Sequence, residues 1–384
     1  MEGSHSGLVR QFRKLLCPRG HRGFKSHPFR QFSEFGIMPT KCKLNIAILF
    51  GGRSAEHEVS LQSAKNVISA LDKTKYNPIP IFIDKSGRWF LNDKSGDKIA
   101  LLPQSNGEIT NLAHPQKKQK INAVFPILHG PFGEDGTVQG LLKLTNVPFV
   151  GASVLGSAVG MDKDVMKRLL RDADIPIGKF LVFKKTDKIN FEKNVKRLGL
   201  PLFIKPANLG SSVGISKVKN KNEFTKAIAY AFKYDTKILI EEFINGREIE
   251  CSVLGNDKPI ASIPGEIIPS AEFYSYDAKY IDDKGARLEV PAKLINATRV
   301  KIQKLAVKAF QTLCCEGMGR VDFFLKKNGQ IFVNEINTIP GFTAISMYPR
   351  LWAESGLNYT KLTDKLIQLA IDRFIKENKL KTSR

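Results

Sequence analysis

The chain has 384 residues, 42% of them hydrophobic, and carries 60 Lys and Arg against 37 Asp and Glu, a formal net charge of +23. That length and apolar content suit a soluble globular protein with a sizeable core and two or three domains, and the longest apolar stretches, such as LNIAILF, fall far short of the roughly 20 residues that span a bilayer. Five cysteines, two of them adjacent at Cys314 and Cys315, match neither a zinc spacing nor a disulfide framework and indicate a reducing compartment.

The first 40 residues, with GSHSG, CPRGHRG and KSHPF, show no sustained hydrophobic period and no secretory core. An Arg-rich, acid-poor leader reads as an organellar transit peptide or as an upstream extension before a start at Met38, and the second is preferred. Residues 1–42 hold eight Lys and Arg against Glu2 and Glu34, leaving about +17 over the rest. That remainder has no basic stripe interleaved with aromatics and no motif that reads DNA or RNA. A basic nucleic-acid-binding protein is therefore only the rival from another class.

From Lys43 the pattern is βα. LNIAILFGG is a buried strand running into glycines, SAEHEVSLQSAKNVISAL a helix, and IPIFID a second strand. Residues 92–120 are polar and read as hairpin and loop. NAVFPIL is a strand ending at HGPFGEDGTVQG, which sets His129, Glu134 and Asp135 on a turn before a helix. Such alternation implies an open parallel sheet with a cleft at the strand C-termini. A second unit begins near Ser153 with the helix MDKDVMKRLLRDA, the strand IPIGKFLVF, the strand–loop–strand PLFIKPANLGSSVGISKV, the helix NEFTKAIAYAFKY and the strand KILIEEF. A third runs from INGREIECSVLG through the helix ATRVKIQKLAVKAFQTLC and a hairpin to the helix YTKLTDKLIQLAIDRFIKEN.

Two segments suggest a nucleotide. In FIKPANLGSSVG a strand delivers Lys205 before a loop whose Gly210, Ser211, Ser212 and Gly214 leave backbone N–H groups able to approach phosphate oxygens, although a structural hairpin is the alternative. In KILIEEFINGREIE the strand end at Glu241, Glu242, Phe243 and Ile244 offers backbone groups to an adenine edge and Glu248 an acceptor for ribose hydroxyls. An exposed acidic strand end explains those residues equally well.

The hairpin GRVDFFLKKNGQIFVNEINT is more specific. A two-residue turn at Asn328-Gly329 makes Asp322 face Glu335 and Arg320 face Asn337. Two carboxylates about 5 Å apart at Cβ destabilise a sheet unless a cation lies between them. With the Asn337 amide oxygen they form an all-oxygen set suited to Mg²⁺ or Mn²⁺. This reading puts Phe324 and Val333 on the acids' face and Val321, Phe323, Leu325, Phe332 and Ile336 on the other.

GGRSAEHEVS, HGPFGEDGTVQG, MDK, IKPANLGSSVG, LIEEFINGREIE, FYSYDAKY, GRVDFF and NEINTIPGFTAIS together, in this order and spacing, resemble the D-alanine–D-alanine ligases of the ATP-grasp superfamily over roughly residues 43–378. The resemblance implies an α/β, three-domain ATP-grasp fold: an N-terminal open-sheet substrate domain (43–152), a central lid domain (153–242) and a C-terminal catalytic domain (243–384). It implies ATP-dependent formation of D-alanyl-D-alanine through a D-alanyl phosphate for peptidoglycan synthesis, in the cytoplasm of a bacterium, by a homodimer. By motif, Asp322, Glu335 and Asn337 would hold two Mg²⁺ or Mn²⁺ ions. Lys163, Lys205 and Lys279 would contact ATP phosphates under Ser212 and the glycine-loop amides, with Glu241, Glu242, Phe243 and Ile244 at adenine and Glu248 at ribose. Glu56 would accept from the ammonium of the first D-alanine, while His129 and Glu134 would support that pocket through hydrogen bonds or stabilise their own turn. Arg320 and the Gly341 N–H would stabilise the oxyanion, and Ser346 with the Met347 N–H would hold the second carboxylate. Glu56, Ser211 and Tyr280 would form a triad closing the loop, and Tyr280 favours D-alanine as second substrate over D-lactate. A ligase using D-serine or D-lactate is the runner-up. Departures are Glu242, where some relatives have Lys, and variable loop residues Ala207, Asn208 and Leu209. His57 beside Glu56 takes a surface or supporting role rather than that of a base.

Overall fold

The computed structural model describes residues 43–210, 213–269 and 286–381, so the leader lies outside the described residues. Strand β1 (Leu44–Gly51) buries Ile46, Ala47, Ile48 and Leu49 in succession, which requires cover on both faces, as in a central parallel strand. It pairs in parallel with β2 (Tyr76–Ile83), reached through helix α1 (His57–Ala70), and on its other side with β7 (Ala123–Ile127). With β3 (Trp89–Leu91) antiparallel at the edge, the order is β3-β2-β1-β7. The strand order reverses between β1 and β7, and the loops leaving these strands carry Glu56 and His129 to Glu134. The polar stretch expected to be hairpin and loop instead forms a small antiparallel sheet of β4 (Ile99–Leu101), β5 (Glu108–Asn111) and β6 (Lys118–Lys120). Its Ile99, Leu101 and Ile109 pack into the core of the first sheet.

Helices α2 (Thr137–Leu144), α3 (Val154–Met161) and α4 (Lys163–Asp172) follow. Asp162 caps α4, its carboxylate accepting from the N–H of Asp164 and Val165 at 3.0 and 3.1 Å. The second sheet is antiparallel, in the order β10 (Ser216–Val218), β9 (Leu202–Pro206), β11 (Lys237–Glu242), β8 (Phe180–Lys184). Leu202, Ile204, Ile238 and Ile240 face α5 (Phe191–Leu198) and α6 (Lys221–Ala231), so strand alternation turns Phe203, Lys205, Leu239 and Glu241 the other way.

The third sheet runs β15 (Ala286–Glu289), β14 (Gly265–Pro269), β12 (Arg247–Gly255), β16 (Gly317–Leu325), β17 (Ile331–Asn337), with β13 (Ile260–Ala261) also on β12. Helix α7 (Asn296–Thr312) covers Ile249, Cys251, Val253, Val321 and Phe323. The β16–β17 turn differs from expectation. The Lys326 N–H donates to Gln330 O at 2.9 Å, which makes the loop three residues long, and only Gly329 has positive φ (82°), whereas the two-residue type needs it at Asn328 as well. The strands therefore start one residue out of the expected step. A bulge at Asn334 restores it, so that Asp322 faces Glu335 and Arg320 faces Asn337. As a correction, Val333 lies in the core opposite Phe323, and Phe332 joins Phe324 on the acids' face.

Helices α8 (Met347–Glu354) and α9 (Tyr359–Glu377) close the fold. Leu362, Leu366 and Ile367 share a cluster with Ile46, Ile48 and Phe125 of the first sheet. Among the described residues no helix is long and apolar enough to cross a membrane. Arg373, buried on α9, donates to Gly151 O at 2.5 Å and Phe149 O at 2.8 Å and lies over the Phe149 ring. Arg373→Met leaves both buried carbonyls without a donor. Urea unfolding is expected to show a loss of about 3 kcal/mol.

Candidate active site

Three adjacent strands set one row of carboxylates. Glu250 on β12 faces Asp322 on β16, which faces Glu335 on β17, and in the next polar row Ser252, Arg320 and Asn337 stand in line. Like charges so placed need cations. Arg320 provides one, donating through Nε and Nη2 to the two Asp322 oxygens at 2.7 and 2.8 Å, with Glu250 Oε2 3.0 Å from Nε. The Asn337 amide donates to Asp322 Oδ2 at 3.0 Å. As a metal ligand it would present its oxygen instead, a half-turn about its last torsion.

Lysines arrive from the opposite side of the cleft. Helix α4 places Lys163 and Lys167 one turn apart on its buried face, with Met166 and Leu170. Lys163 Nζ lies 3.8 Å from Glu335 Oε2 and donates to Leu209 O at the glycine loop. Lys205 pairs with Glu241 Oε2 at 2.7 Å and Lys167 with Glu241 Oε1 at 3.3 Å. Burial holds Lys163 and Lys167 below the ordinary lysine range. Burial alone would raise Glu241, but Lys167 and Lys205 outweigh it and hold that carboxyl below its usual value.

The loops of the first sheet form the third wall. His129 Nδ1 meets Ile339 O at 3.0 Å and its Nε2 lies 3.5 Å from Ser63 Oγ, while burial lowers its pKa against the pull of Glu56. Glu134 accepts from the N–H of Gly130 at 2.8 Å and of Ile339 at 3.2 Å, so this turn clasps the segment that follows β17. Desolvation, with the Glu56 charge beside it, pushes Glu134 up to about 8. Buried Glu56 also lies near the glycine loop, since a Cβ at Gly210 would stand 3.5 Å from its Oε2. At Gly341 a Cβ would meet Ser346 Oγ at 2.8 Å, so a side chain there would displace that hydroxyl. Ser346 Oγ accepts from the Thr343 N–H at 2.9 Å, and Met347 opens α8, where first-turn N–H groups have no intrahelical acceptor.

Some expected residues sit differently. Glu241 turns its side chain into the lysines rather than standing only as an edge for adenine. Glu242 accepts from the Lys179 N–H at 2.7 Å, which ties β11 to the start of β8. Phe243 packs 6.0 Å from Phe203 beneath the Lys217 ammonium, and Ile244 is buried. Glu248 faces Phe324 across β12 and β16. His57 is buried, with its Nδ1 2.9 Å from Gly52 O, and supports the strand end. Ser211, Ser212, Lys279 and Tyr280 lie outside the described residues. Sequence reasoning missed Glu250 and Lys167. The second was readable as a lysine on the apolar face of MDKDVMKRLL, one turn after Lys163.

The donor set fits a hard divalent cation. Among the described residues no three His, Cys, Asp or Glu side chains converge as a ready metal cluster. Two facing carboxylates and an amide oxygen nonetheless suit Mg²⁺, which takes one or two carboxylates and completes its shell with water and substrate phosphates.

A family model described as D-ala D-ala ligase N-terminus matches residues 45–152, and one described as D-ala D-ala ligase C-terminus matches residues 169–368. The chain belongs to the D-alanine–D-alanine ligase family. It is 51% identical over 362 residues to the D-alanine–D-alanine ligase of Oceanobacillus iheyensis and 50% identical over 361 to D-alanine–D-alanine ligase A of Salmonella typhimurium, in each case covering 89% of this chain and 99% of the relative. Among solved structures, a D-alanine–D-alanine ligase from Coxiella burnetii superposes with a TM-score of 0.80 at 42% identity, covering 88% of this chain and 96% of that one. The VanG D-Ala:D-Ser ligase from Enterococcus faecalis does so at 0.78 and 38%, covering 85% and 99%. The family read from eight motifs is thus the family that matches, and the mixed α/β architecture is the ATP-grasp fold of these ligases.

For this ligase-family chain the Glu134 carboxyl sets a pH dependence. Its folded pKa, about 8, lies above the value near 4.5 of an exposed glutamate. The folded form therefore keeps a proton that the unfolded chain has lost, and the associated stability, complete below pH 4.5, drains away as pH rises toward 8 and is gone above it. Thermal melts between pH 4.5 and 9 are expected to show Glu134→Gln gaining on the wild type through that window and then running parallel to it.

Proposed function

We propose that this chain joins two D-alanines into D-alanyl-D-alanine with conversion of ATP to ADP and phosphate, as a step of peptidoglycan precursor synthesis in a bacterial cytoplasm. The observation that carries this reading is the cleft in which Arg320, Asp322, Glu335 and Asn337 face Lys163 and Lys205 in a chain about half identical to D-alanine–D-alanine ligases. Residues 43–152 act in it as the substrate domain, 153–242 as the lid and 243–384 as the catalytic domain, and two copies form a homodimer.

A carboxylate is a poor acyl donor, so the first D-alanine carboxylate attacks the γ-phosphorus of ATP, giving D-alanyl phosphate and ADP. Phosphoryl transfer demands position and charge compensation above all. Lys163, Lys205 and Lys279 serve the phosphates, with Ser212 and the loop amides as cover, while Glu241 to Ile244 line the adenine side and Glu248 receives the ribose. Asp322, Glu335 and Asn337 would hold two Mg²⁺ or Mn²⁺ ions, whose charge would offset that of the phosphates. Glu56 receives the first ammonium, supported by His129 and Glu134. Attack by the second amine on the acyl carbon makes a tetrahedral oxyanion, stabilised by Arg320 and the Gly341 N–H at about 3 kcal/mol per donor, and collapse expels phosphate. Ser346 and the Met347 N–H orient the second carboxylate. Glu56, Ser211 and Tyr280 hold the loop shut, which keeps water from the acyl phosphate.

The second substrate is D-alanine, favoured by Tyr280. Purified chain with ATP, Mg²⁺ and D-alanine, alone or mixed with D-serine or D-lactate, is expected to yield D-alanyl-D-alanine by mass. A mixed D-Ala-D-Ser or D-Ala-D-lactate product as the main species would reverse the second-substrate assignment. Glu335→Gln keeps the shape and removes the charge, and turnover should fall at least about 100-fold. Near-normal turnover of that variant would overturn the assignment.

A further inference from the structure

Lys167 is 2% exposed, and nothing in the ligation chemistry above uses it. It reaches the cleft from α4, one helical turn beyond Lys163, and ends 3.3 Å from Glu241 Oε1 and 5.8 Å from the centre of the Phe180 ring. Glu241 is thereby held between two ammonium groups, with Lys205 at 2.7 Å on its other oxygen. Among the described residues, the ion pairs here join three buried lysines, Lys163, Lys167 and Lys205, to two carboxylates, buried Glu241 and half-buried Glu335. Were Lys167 absent, the lysines and carboxylates would balance one to one. A phosphate oxygen would then have to draw Lys205 from Glu241, leaving a carboxylate buried without a partner, which is strongly unfavourable. With Lys167 present, Glu241 keeps a counter-ion whichever way Lys205 turns.

We propose that Lys167 is a positioning residue for the nucleotide, retaining Glu241 so that Lys205 can give its ammonium to a phosphate of ATP. This rests on the assignment of the cleft to ATP. The side chain meets Glu241 and the Phe180 ring, neither of which is assigned above to the amino-acid substrates, so its effect falls on nucleotide affinity and leaves D-alanine recognition alone. It acts through charge, so arginine preserves more of it than methionine does. It acts through Glu241, so neutralising Glu241 makes it dispensable.

The test is titration calorimetry of the full chain with a non-hydrolysable ATP analogue and Mg²⁺, with KM for D-alanine measured alongside. Lys167→Met is expected to weaken nucleotide binding about 30-fold, with KM for D-alanine within twofold of wild type, and Lys167→Arg to weaken it less than fivefold. In the Glu241→Gln background, Lys167→Met should change nucleotide affinity less than threefold, because no buried carboxylate remains to be compensated. Should Lys167→Met alone fail to fold, as judged by circular dichroism, that second pair still decides. An unchanged affinity in Lys167→Met, or the same 30-fold loss in both backgrounds, would overturn the proposal and identify Lys167 as a packing residue. Wild-type protein that binds no nucleotide would overturn the ATP assignment itself.

Discussion

Charge in a space of low dielectric must be matched within a few ångströms, and that requirement organises this cleft. The carboxylates of Glu250, Asp322 and Glu335 lie side by side across three strands, and the ammonium groups of Lys163, Lys167 and Lys205 crowd the opposite wall. Neither wall is stable by itself. Strand pairing fixes the acids, since backbone hydrogen bonds do not allow the rows to slide, and the helical turn fixes Lys163 and Lys167. Guanidinium, ammonium and carboxylate then satisfy one another across the gap, each with more than one partner in reach. Arg320 has both Asp322 and Glu250, and Glu241 has both Lys205 and Lys167. A site built this way can exchange one partner for a ligand without stranding the other.

Much of this was legible because the chemistry dictates local sequence. A buried strand followed by glycines, a capped helix and an acid two residues after an arginine each leave a short-range mark. The facing of Asp322 and Glu335 was readable too, although the expected turn was wrong in detail. Ile331, Val333 and Ile336 point inward, so the apolar spacing changes from two to three across Asn334, and that change is the signature of a bulge. The Asn328-Gly329 pair, which favours a two-residue turn, masks that signature. The role of Glu241 was hidden for another reason. Its partners come from α4 and β9, far off in sequence, and neither lysine stands at a distance that a linear motif encodes. Glu250 was hidden because one more acid on β12 has meaning only once β16 lies beside it.

The three walls come from three sheets with different demands. The parallel sheet brings Glu56 and the His129 to Glu134 turn to its carboxyl edge, the second sheet turns one face of lysine and glutamate inward, and the third presents the arginine–carboxylate rows. Backbone contacts hold these walls together as much as charge does. Glu134 and His129 both grip Ile339, and Lys163 grips the loop at Leu209. The His129 to Glu134 turn and the strand bearing the acids are therefore set relative to each other by the peptide groups between them.

The packing of α9 on the first sheet has a consequence for how the chain is made. Ile46, Ile48 and Phe125 leave the ribosome early, with Ala64 and Val67 of α1 beside them, yet the rest of their cover, Phe342, Leu362, Leu366 and Ile367, belongs to the final tenth or so of the sequence. That face of the first sheet thus lacks part of its cover for nearly the whole of synthesis, which is the situation in which aggregation and chaperone capture compete with folding. A polypeptide released before α9 is made therefore lacks part of the cover of its own first-formed core.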